Sequence, residues 1–596
     1  MVKKTIFSLG RFFLRTVRAL TSFSFLKRRA RVVYEVAPED ILIDAQNLPA
    51  LHEHTLEGRL DKPISKKTLH YTFFFVCAVS LFFFGRAVQL MALDGAHYRA
   101  QAEENSLERA VVFAERGIIR DRNGVELAYN STATTSTATK SEEEVRRVYA
   151  DIPGMGMVLG YVRAPARDAH GVWYRTTTEG VDGVEQAYDQ LLSGENGVRL
   201  IETDVHQTPM GGQVVQDASS GLPLTLTIDS RVQNALYSFI QDLAEKTPFR
   251  GGAGVLMDVH TGELLALVSY PEYNPNALVA GDKGTLASYR TDERNPYLNR
   301  TVSGQFTPGS VVKPYMAVAA LLEKVVTPET TFVSTGALRV ENPYAEGTFE
   351  QFNDWRAQGE VDLRKALAVS SNVYFYYVGG GFGSQRGLGI RNIDTYMKRF
   401  GFGETTGSVF AQEAKGLVPS PEWKERVFPE DPVWRVGDTY HTAIGQYGFL
   451  VTPLQMVRAV ASVANGGALL TPRIESTYTQ REARDLAIDK GVMQVVQEGM
   501  RLGVLEGTAK GLHTPYLSVS AKTGTAEVGT GKSFVNSWVT GFFPSEKPRY
   551  AFVVVMEHGP RKNTVGATFV MRELLDWMHE HTPEYLSGEN TSPTEG

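Results

Sequence analysis

Three short elements occur in chain order: Ser310-Val311-Val312-Lys313, Ser370-Ser371-Asn372 and Lys522-Thr523-Gly524. A serine hydroxyl is a poor nucleophile until something removes its proton. On a helix, positions i and i+3 share one face, so the Lys313 amine is expected to reach the Ser310 oxygen. A lysine acts as a base only when neutral, which requires its pKa to fall from about 10.4 to near 7, at a cost of about 4 kcal/mol. Burial and a second cation supply that shift, and Lys522 is the candidate cation. Pro308-Gly309, directly before the serine, permits an abrupt helix start with free backbone N–H groups beside the nucleophile. The chemistry this spacing points to is acyl transfer through Ser310.

No single element carries that reading. At ordinary composition a chain this long holds about two Ser-x-x-Lys by chance, and Ser24-Phe25-Leu26-Lys27 is a second copy on a basic stretch. The order of the trio and the elements that present it decide the matter. Ser310 opens a helix, Ser370-Ser371-Asn372 precedes the apolar run Val373-Tyr374-Phe375-Tyr376, and Lys522 sits within a strand. Around them, Leu224–Ile228 reads as a strand, with Asp229-Ser230 capping a helix from about Arg231. Ala253–Val259 and Leu264–Ser269 read as two strands about a tight turn. Helices are expected to dominate from Ser310 to about Asn465. Strands are then expected at Leu517–Glu527, Phe534–Phe543 and Tyr550–Glu557, and a last helix at Val565–His579. Strands at both ends with helices between predict an α+β domain with one antiparallel sheet built from distant segments.

Ala526-Glu527-Val528-Gly529-Thr530-Gly531-Lys532-Ser533 fits a relaxed phosphate-loop pattern, but such a loop needs a following helix and a glycine at Ala526. Phe534–Phe543 alternates as a strand, so the segment is expected to be a hairpin tip.

The 596 residues call for two or three folded units, and 42% hydrophobic residues suffice for a large core. A net charge of -6 argues against a dedicated nucleic-acid binder. The one cysteine, Cys77, excludes an intramolecular disulfide and a cysteine-based zinc cluster. From His70 to Leu93 runs an apolar, Phe-rich segment whose one charge is Arg86. As a helix of about 24 residues it reaches about 36 Å, enough to span a bilayer. Lys27, Arg28, Arg29, Arg31, Lys62, Lys66 and Lys67 precede it, so the positive-inside rule places residues 1–69 in the cytoplasm and everything after about residue 94 outside. Arg11, Arg15 and Arg18 fit either a surface-lying amphipathic helix or a basic tail. Residues 94–225 hold turn and strand signals, including the Asn-Gly of Arg116–Gly124, but no catalytic constellation.

The trio, with Thr307-Pro308-Gly309-Ser310-Val311-Val312-Lys313-Pro314, the Arg116–Gly124 stretch, Leu226-Thr227-Ile228-Asp229 and Ala521-Lys522-Thr523-Gly524-Thr525-Ala526-Glu527, resembles the class B penicillin-binding transpeptidases. The resemblance runs from about residue 70 to 580. Trp434-Arg435-Val436-Gly437-Asp438-Thr439, Ala443-Ile444-Gly445-Gln446 and Val451-Thr452-Pro453-Leu454-Gln455 are more similar to its elongation-type members, the penicillin-binding protein 2 group, than to its division-type ones.

That resemblance implies a five-stranded antiparallel sheet flanked by helices. It divides the chain into a cytoplasmic segment (1–69), a transmembrane helix (70–93), a non-catalytic pedestal resembling a dimerisation domain (94–225), a transpeptidase domain (226–582) and a tail (583–596). It implies that Ser310 is acylated by the D-Ala-D-Ala end of a peptidoglycan stem peptide and that Lys313 takes the serine proton. Ser370 and Asn372 would relay protons and orient the peptide, Lys522 would set the electrostatics, and Thr523, Gly524 and Thr525 would bind the terminal carboxylate. The N–H groups of Ser310 and Thr525 would form the oxyanion hole. A neighbouring strand's amine then makes the cross-link, with D-Ala carboxypeptidase activity as a side reaction. β-Lactam antibiotics would acylate the same serine. No metal or other cofactor is expected. The span and pedestal would meet a SEDS-type (RodA-like) glycosyltransferase and other membrane proteins of the elongation complex. The alternatives are a division-specific transpeptidase of the same family and a β-lactam-binding sensor or scaffold without turnover.

Overall fold

The structure, a computed structural model, describes residues 65–98, 107–137, 140–169, 173–203, 209–341, 347–476 and 482–587. The basic segment up to residue 64, including its amphipathic stretch, and most of the tail lie outside the described residues. The chain divides into two units, Met1–Ala102 and Glu103–Gly596.

In the first unit, Ser65 caps helix α1 (Lys66–Val88) by accepting the Thr68 N–H at 3.2 Å. This cap starts the helix four residues before the apolar run. The helix continues as a π-turn through Leu93, giving 28 residues that include an 18-residue window with a mean hydropathy of 1.9. None of its residues is buried, and Phe73, Phe75, Leu81 and Phe84 are each more than 60% exposed. A helix apolar on every side over its central turns is long and apolar enough to cross a membrane.

The second unit begins with two small sheets. β1 (Leu107–Val112), β2 (Ile119–Arg120), β3 (Glu126–Thr137) and β4 (Lys140–Tyr149) are followed by β5 (Gly197–Thr203), β6 (Pro209–Gln216) and β7 (Leu224–Thr225). The orders are β1-β5-β6 and β7-β2-β3-β4. The β2–β3 turn is built on Asp121, whose Oδ1 accepts the N–H groups of Asn123 and Val125. Its Oδ2 accepts from Ser230 N and Oγ, at the start of α2 (Ser230–Lys246). Two sequence matches far apart in the chain therefore meet at one joint. The strand expected at Leu224–Ile228 is only β7, parallel to β2 for two residues. Leu226 N–H still donates to Arg120 O, but Thr227 N–H turns to Ile474 O, and Thr225 O accepts from Ser476 N.

Beyond α2 lie β8 (Gly251–Asp258) and β9 (Leu264–Tyr270), which share a sheet with three strands from near the C-terminus: β12 (Ser520–Val528), β13 (Phe534–Phe543) and β14 (Tyr550–Pro560). The order is β9-β8-β14-β13-β12, antiparallel throughout. Every residue of β8 is buried because the sheet is covered on both faces. Ala253, Val255 and Met257 face the larger helical core. On the other face α2 packs so close that a Cβ at Gly254 would meet Leu236 Cδ2 at 2.7 Å. Val232, Leu236, Ile240 and Leu243 form the buried stripe of α2. The C-terminal helix α8 (Ala567–His581) joins it there.

Between β9 and β12 the chain makes the helical lobe, but not an all-helical one. Helix α3 (Lys313–Leu322) is followed by a hairpin of β10 (Ala337–Glu341) and β11 (Phe349–Asn353), then α4 (Asn372–Gly380), α5 (Val436–Ala443), α6 (Pro453–Ala464) and α7 (Lys490–Leu505). The hairpin departs from the helical expectation because Leu338 and Phe352 pack on α4 and α5 as an apolar cluster of their own. Between β12 and β13 lies a single 3₁₀ turn, Thr530–Lys532. With a strand on either side, it has no helix to hold a phosphate.

Candidate active site

The nucleophile's turn is fixed by contacts that leave no room for side chains. Gly309 has φ +58° and donates its N–H to Gly445 O at 2.9 Å. A Cβ at Gly445 would lie 2.2 Å from Gly309 O. On the sheet side, a Cβ at Gly524 would lie 2.8 Å from Pro308 O, and Trp538 Nε1 donates to Thr307 O at 3.0 Å. The edge strand β12 is thereby pressed against the turn, and as an edge strand it leaves alternate N–H and C=O groups free to pair with an added peptide.

Ser310 lies in a 3₁₀ turn, Gly309–Val312, which runs directly into α3. In a 3₁₀ turn residues i and i+3 eclipse, so Lys313 sits behind Ser310. The expected direct contact is not made. Ser310 Oγ has no hydrogen bond among the described residues. The Lys313 Nζ hydrogen bonds run to Ser370 O at 2.8 Å, Asn372 Oδ1 at 2.7 Å and, more weakly, Ser370 Oγ at 3.4 Å. Resting active-site geometry is often loose and tightens with substrate. Lys522 Nζ donates to Ser370 Oγ at 2.8 Å and to Thr523 O at 2.8 Å. Ser370 thus links both amines, and it does so in the left-handed region at φ +59°.

Both lysines are buried, at 0% and 1% exposure. Burial pushes the Lys313 amine down to about 7, opposed by the negative charge of Asp354. Burial, and then the charge of Lys313, push Lys522 well below the usual lysine value. A neutral Lys313 has two N–H bonds, which match its two short acceptors, and its lone pair is left over for a hydroxyl proton. The cause differs from the sequence expectation, since burial and not the second cation is what lowers Lys313.

The structure brings Ser310, Ser370, Asn372, Thr523, Gly524 and Thr525 to one groove of 1620 Å³, with Lys313 and Lys522 buried behind its wall. Thr523 Oγ1 bonds Thr508 Oγ1 at 2.6 Å, and Thr525 is exposed to the groove. Sequence reasoning missed Asp354. Its carboxylate accepts from Ser371 Oγ at 2.8 Å, Ser334 Oγ at 3.0 Å, Asn372 N at 3.0 Å and Val373 N at 3.2 Å. It is a second cap on α4 beside Ser371, whose Oγ accepts from Tyr374 N. No local spacing signals it, because it reaches the helix only through the fold.

Comparison with known proteins agrees with this geometry. The penicillin binding protein transpeptidase domain matches residues 252–576, and the penicillin-binding protein dimerisation domain matches residues 139–226. The chain is 31% identical over 449 residues to the peptidoglycan D,D-transpeptidase MrdA of Acinetobacter baumannii, covering 70% of this chain and 64% of that protein, just under two thirds of its length. It is 29% identical over 541 residues to MrdA of Salmonella typhimurium, covering 83% and 81%. A solved complex of penicillin-binding protein PBP2 with MreC from Helicobacter pylori superposes with a TM-score of 0.65 at 27% identity, covering 80% of this chain and 99% of that one.

Proposed function

Because the chain belongs to the penicillin-binding protein transpeptidase family, we propose that it is a peptidoglycan D,D-transpeptidase of the elongation type, cross-linking stem peptides through acyl-Ser310. The observation that carries this reading is the fully buried Lys313 amine, pushed down to about 7 by that burial, directly behind a Ser310 hydroxyl that has no hydrogen bond among the described residues and faces an open groove. The D-Ala-D-Ala end of a stem peptide pairs with the free edge of β12, its terminal carboxylate on Thr523 and Thr525. The carbonyl carbon then faces Ser310 Oγ, with the N–H groups of Ser310 and Thr525 at its oxygen, where each donor is worth about 3–4 kcal/mol in the transition state. Lys313 takes the serine proton as the C–O bond forms. Ser370, bonded to both amines, passes a proton to the departing D-Ala nitrogen. Lys522 holds Ser370 in place, and Asn372 orients the peptide. An acceptor amine then attacks the ester and releases Ser310.

The elongation role rests on the MrdA relatives. The boundaries we assign are 70–93 for the span, 94–225 for the pedestal and 226–582 for the catalytic domain, with 1–69 cytoplasmic and the catalytic domain extracytoplasmic. The partners we assign are the elongation complex and, within it, a RodA-like polymerase. Labelling the full chain with fluorescent penicillin tests the reading. Wild type is expected to label covalently and Ser310→Ala not at all, and labelling that survives the substitution contradicts it.

A further inference from the structure

The cross-linking reaction needs more proton handling than Lys313 provides. An acceptor amine arrives as an ammonium and must lose one proton before its nitrogen can attack. It loses a second as the C–N bond forms and the C–O bond to Ser310 breaks. Lys313 disposes of the second by returning it to Ser310 Oγ. The first goes to solvent or to another base beside the acyl-enzyme.

We propose that the imidazole of His441 takes this first proton, acting as a base dedicated to the acceptor amine; the proposal rests on the acyl-serine reading. His441 lines the same groove as Ser310. Its ring lies between Phe352, at 5.4 Å and 58°, and Tyr447, at 6.4 Å and 23°, so packing fixes its plane. Its ring nitrogens have no hydrogen-bond partner among the described residues, although the residue is only partly exposed. A partly buried imidazole kept only for structure normally has a partner.

The backbone ties this ring to the nucleophile. His441 O accepts the N–H groups of Ile444 and Gln446, and Gly445 O, between them, holds Gly309 N–H at 2.9 Å. The charged groups acting on the imidazole are Lys532, from the β12–β13 hairpin, and Asp438 on its own helix; Tyr447 is the titratable ring packed on it. Burial, then Lys532, lower its pKa against the opposing pull of Asp438, so the ring is neutral and able to accept a proton at pH 7. The proton balance closes: ammonium to His441 and on to solvent, amine to amide, and the amide's lost proton to Ser310 through Lys313.

The test uses the full chain in detergent, a stem-peptide thioester donor and two acceptors, an alkylamine peptide and hydroxylamine, which is largely unprotonated at neutral pH. In His441→Gln, penicillin labelling and transfer to hydroxylamine should stay within about threefold of wild type, while transfer to the alkylamine at pH 7 falls about tenfold or more. Equal losses for both acceptors, or no loss for the alkylamine, overturn the proposal. If that variant does not fold, His441→Asn is read against the same two acceptors, and equal losses for both, or no loss for the alkylamine, again overturn the proposal. Failure of wild type to label would instead defeat the acyl-serine reading.

Discussion

The pedestal and the catalytic groove both bury cations, with opposite results. In the pedestal, Glu185 is fully buried and holds Arg116 at 2.6 Å and Arg147 at 2.8 Å, their side chains 3% and 2% exposed. In the groove wall, Lys313 and Lys522 are as deeply buried, and neither forms an ion pair among the described residues. A buried cation with a carboxylate on it stays charged and fixes a packing arrangement, and removing one partner is costly. A buried cation without one gives up its proton, and its free energy appears as reactivity instead. The arginines cannot take the second course, because a guanidinium does not lose its proton at any ordinary pH.

Breaking each site in turn should separate these two uses of burial. The largest effect on activity is expected at Lys313→Met, with acylation by penicillin falling about 10²–10⁴-fold. Stability should move the other way. The folded pKa of Lys313 is depressed, so its contribution is fully present only above the unfolded value of about 10.5 and is lost as pH falls toward about 7. At pH 7 the methionine variant should therefore melt higher than wild type, and by a smaller margin at pH 10. The reverse pattern is expected at Glu185→Gln, which strands the buried Arg147 guanidinium and leaves Arg116 only its 2.8 Å pair with Asp189. It should cost about 3–5 kcal/mol in denaturant unfolding, while the fraction still folded labels at the wild-type rate.

A smaller effect sharpens the contrast. Asp354 opposes the effect of burial on Lys313, so Asp354→Asn should move the acid limb of the acylation profile to lower pH. It should also cost about 1 kcal/mol through the weakened cap on α4. Smallest is the exposed pair Lys246–Asp242, where Asp242→Ala should change stability by about 0.3–0.5 kcal/mol and labelling not at all.

The sheet was legible in the sequence because its strands are stretches rich in apolar and β-branched residues bounded by turns, as at Phe534–Phe543, where expectation and structure share both ends. The hairpin Ala337–Asn353 was not, because two short strands within a helical stretch have too few residues to show a period. At the site, residue types and order named the side chains that converge, since Ser310 and Lys313 are local and the other elements carry unusual tripeptides. The hydrogen-bond partners were hidden. Lys313 turns to Ser370 and Asn372, Asp354 reaches α4 from 18 residues before Asn372, and His441 enters the groove on a helix whose neighbours alone drew notice. Those pairings depend on how the lobe folds back on the sheet, which no local spacing encodes.

The most direct test of the account is the pH dependence of acylation of the full chain by fluorescent penicillin at sub-saturating concentration, which reports ionisations of the free protein. A buried, unpaired Lys313 predicts a rate that rises with pH through an apparent pKa near about 7, the rise vanishing in Lys313→Met. A limb near about 10, the value of a lysine in water, would mean that Lys313 is charged at rest and would contradict the account.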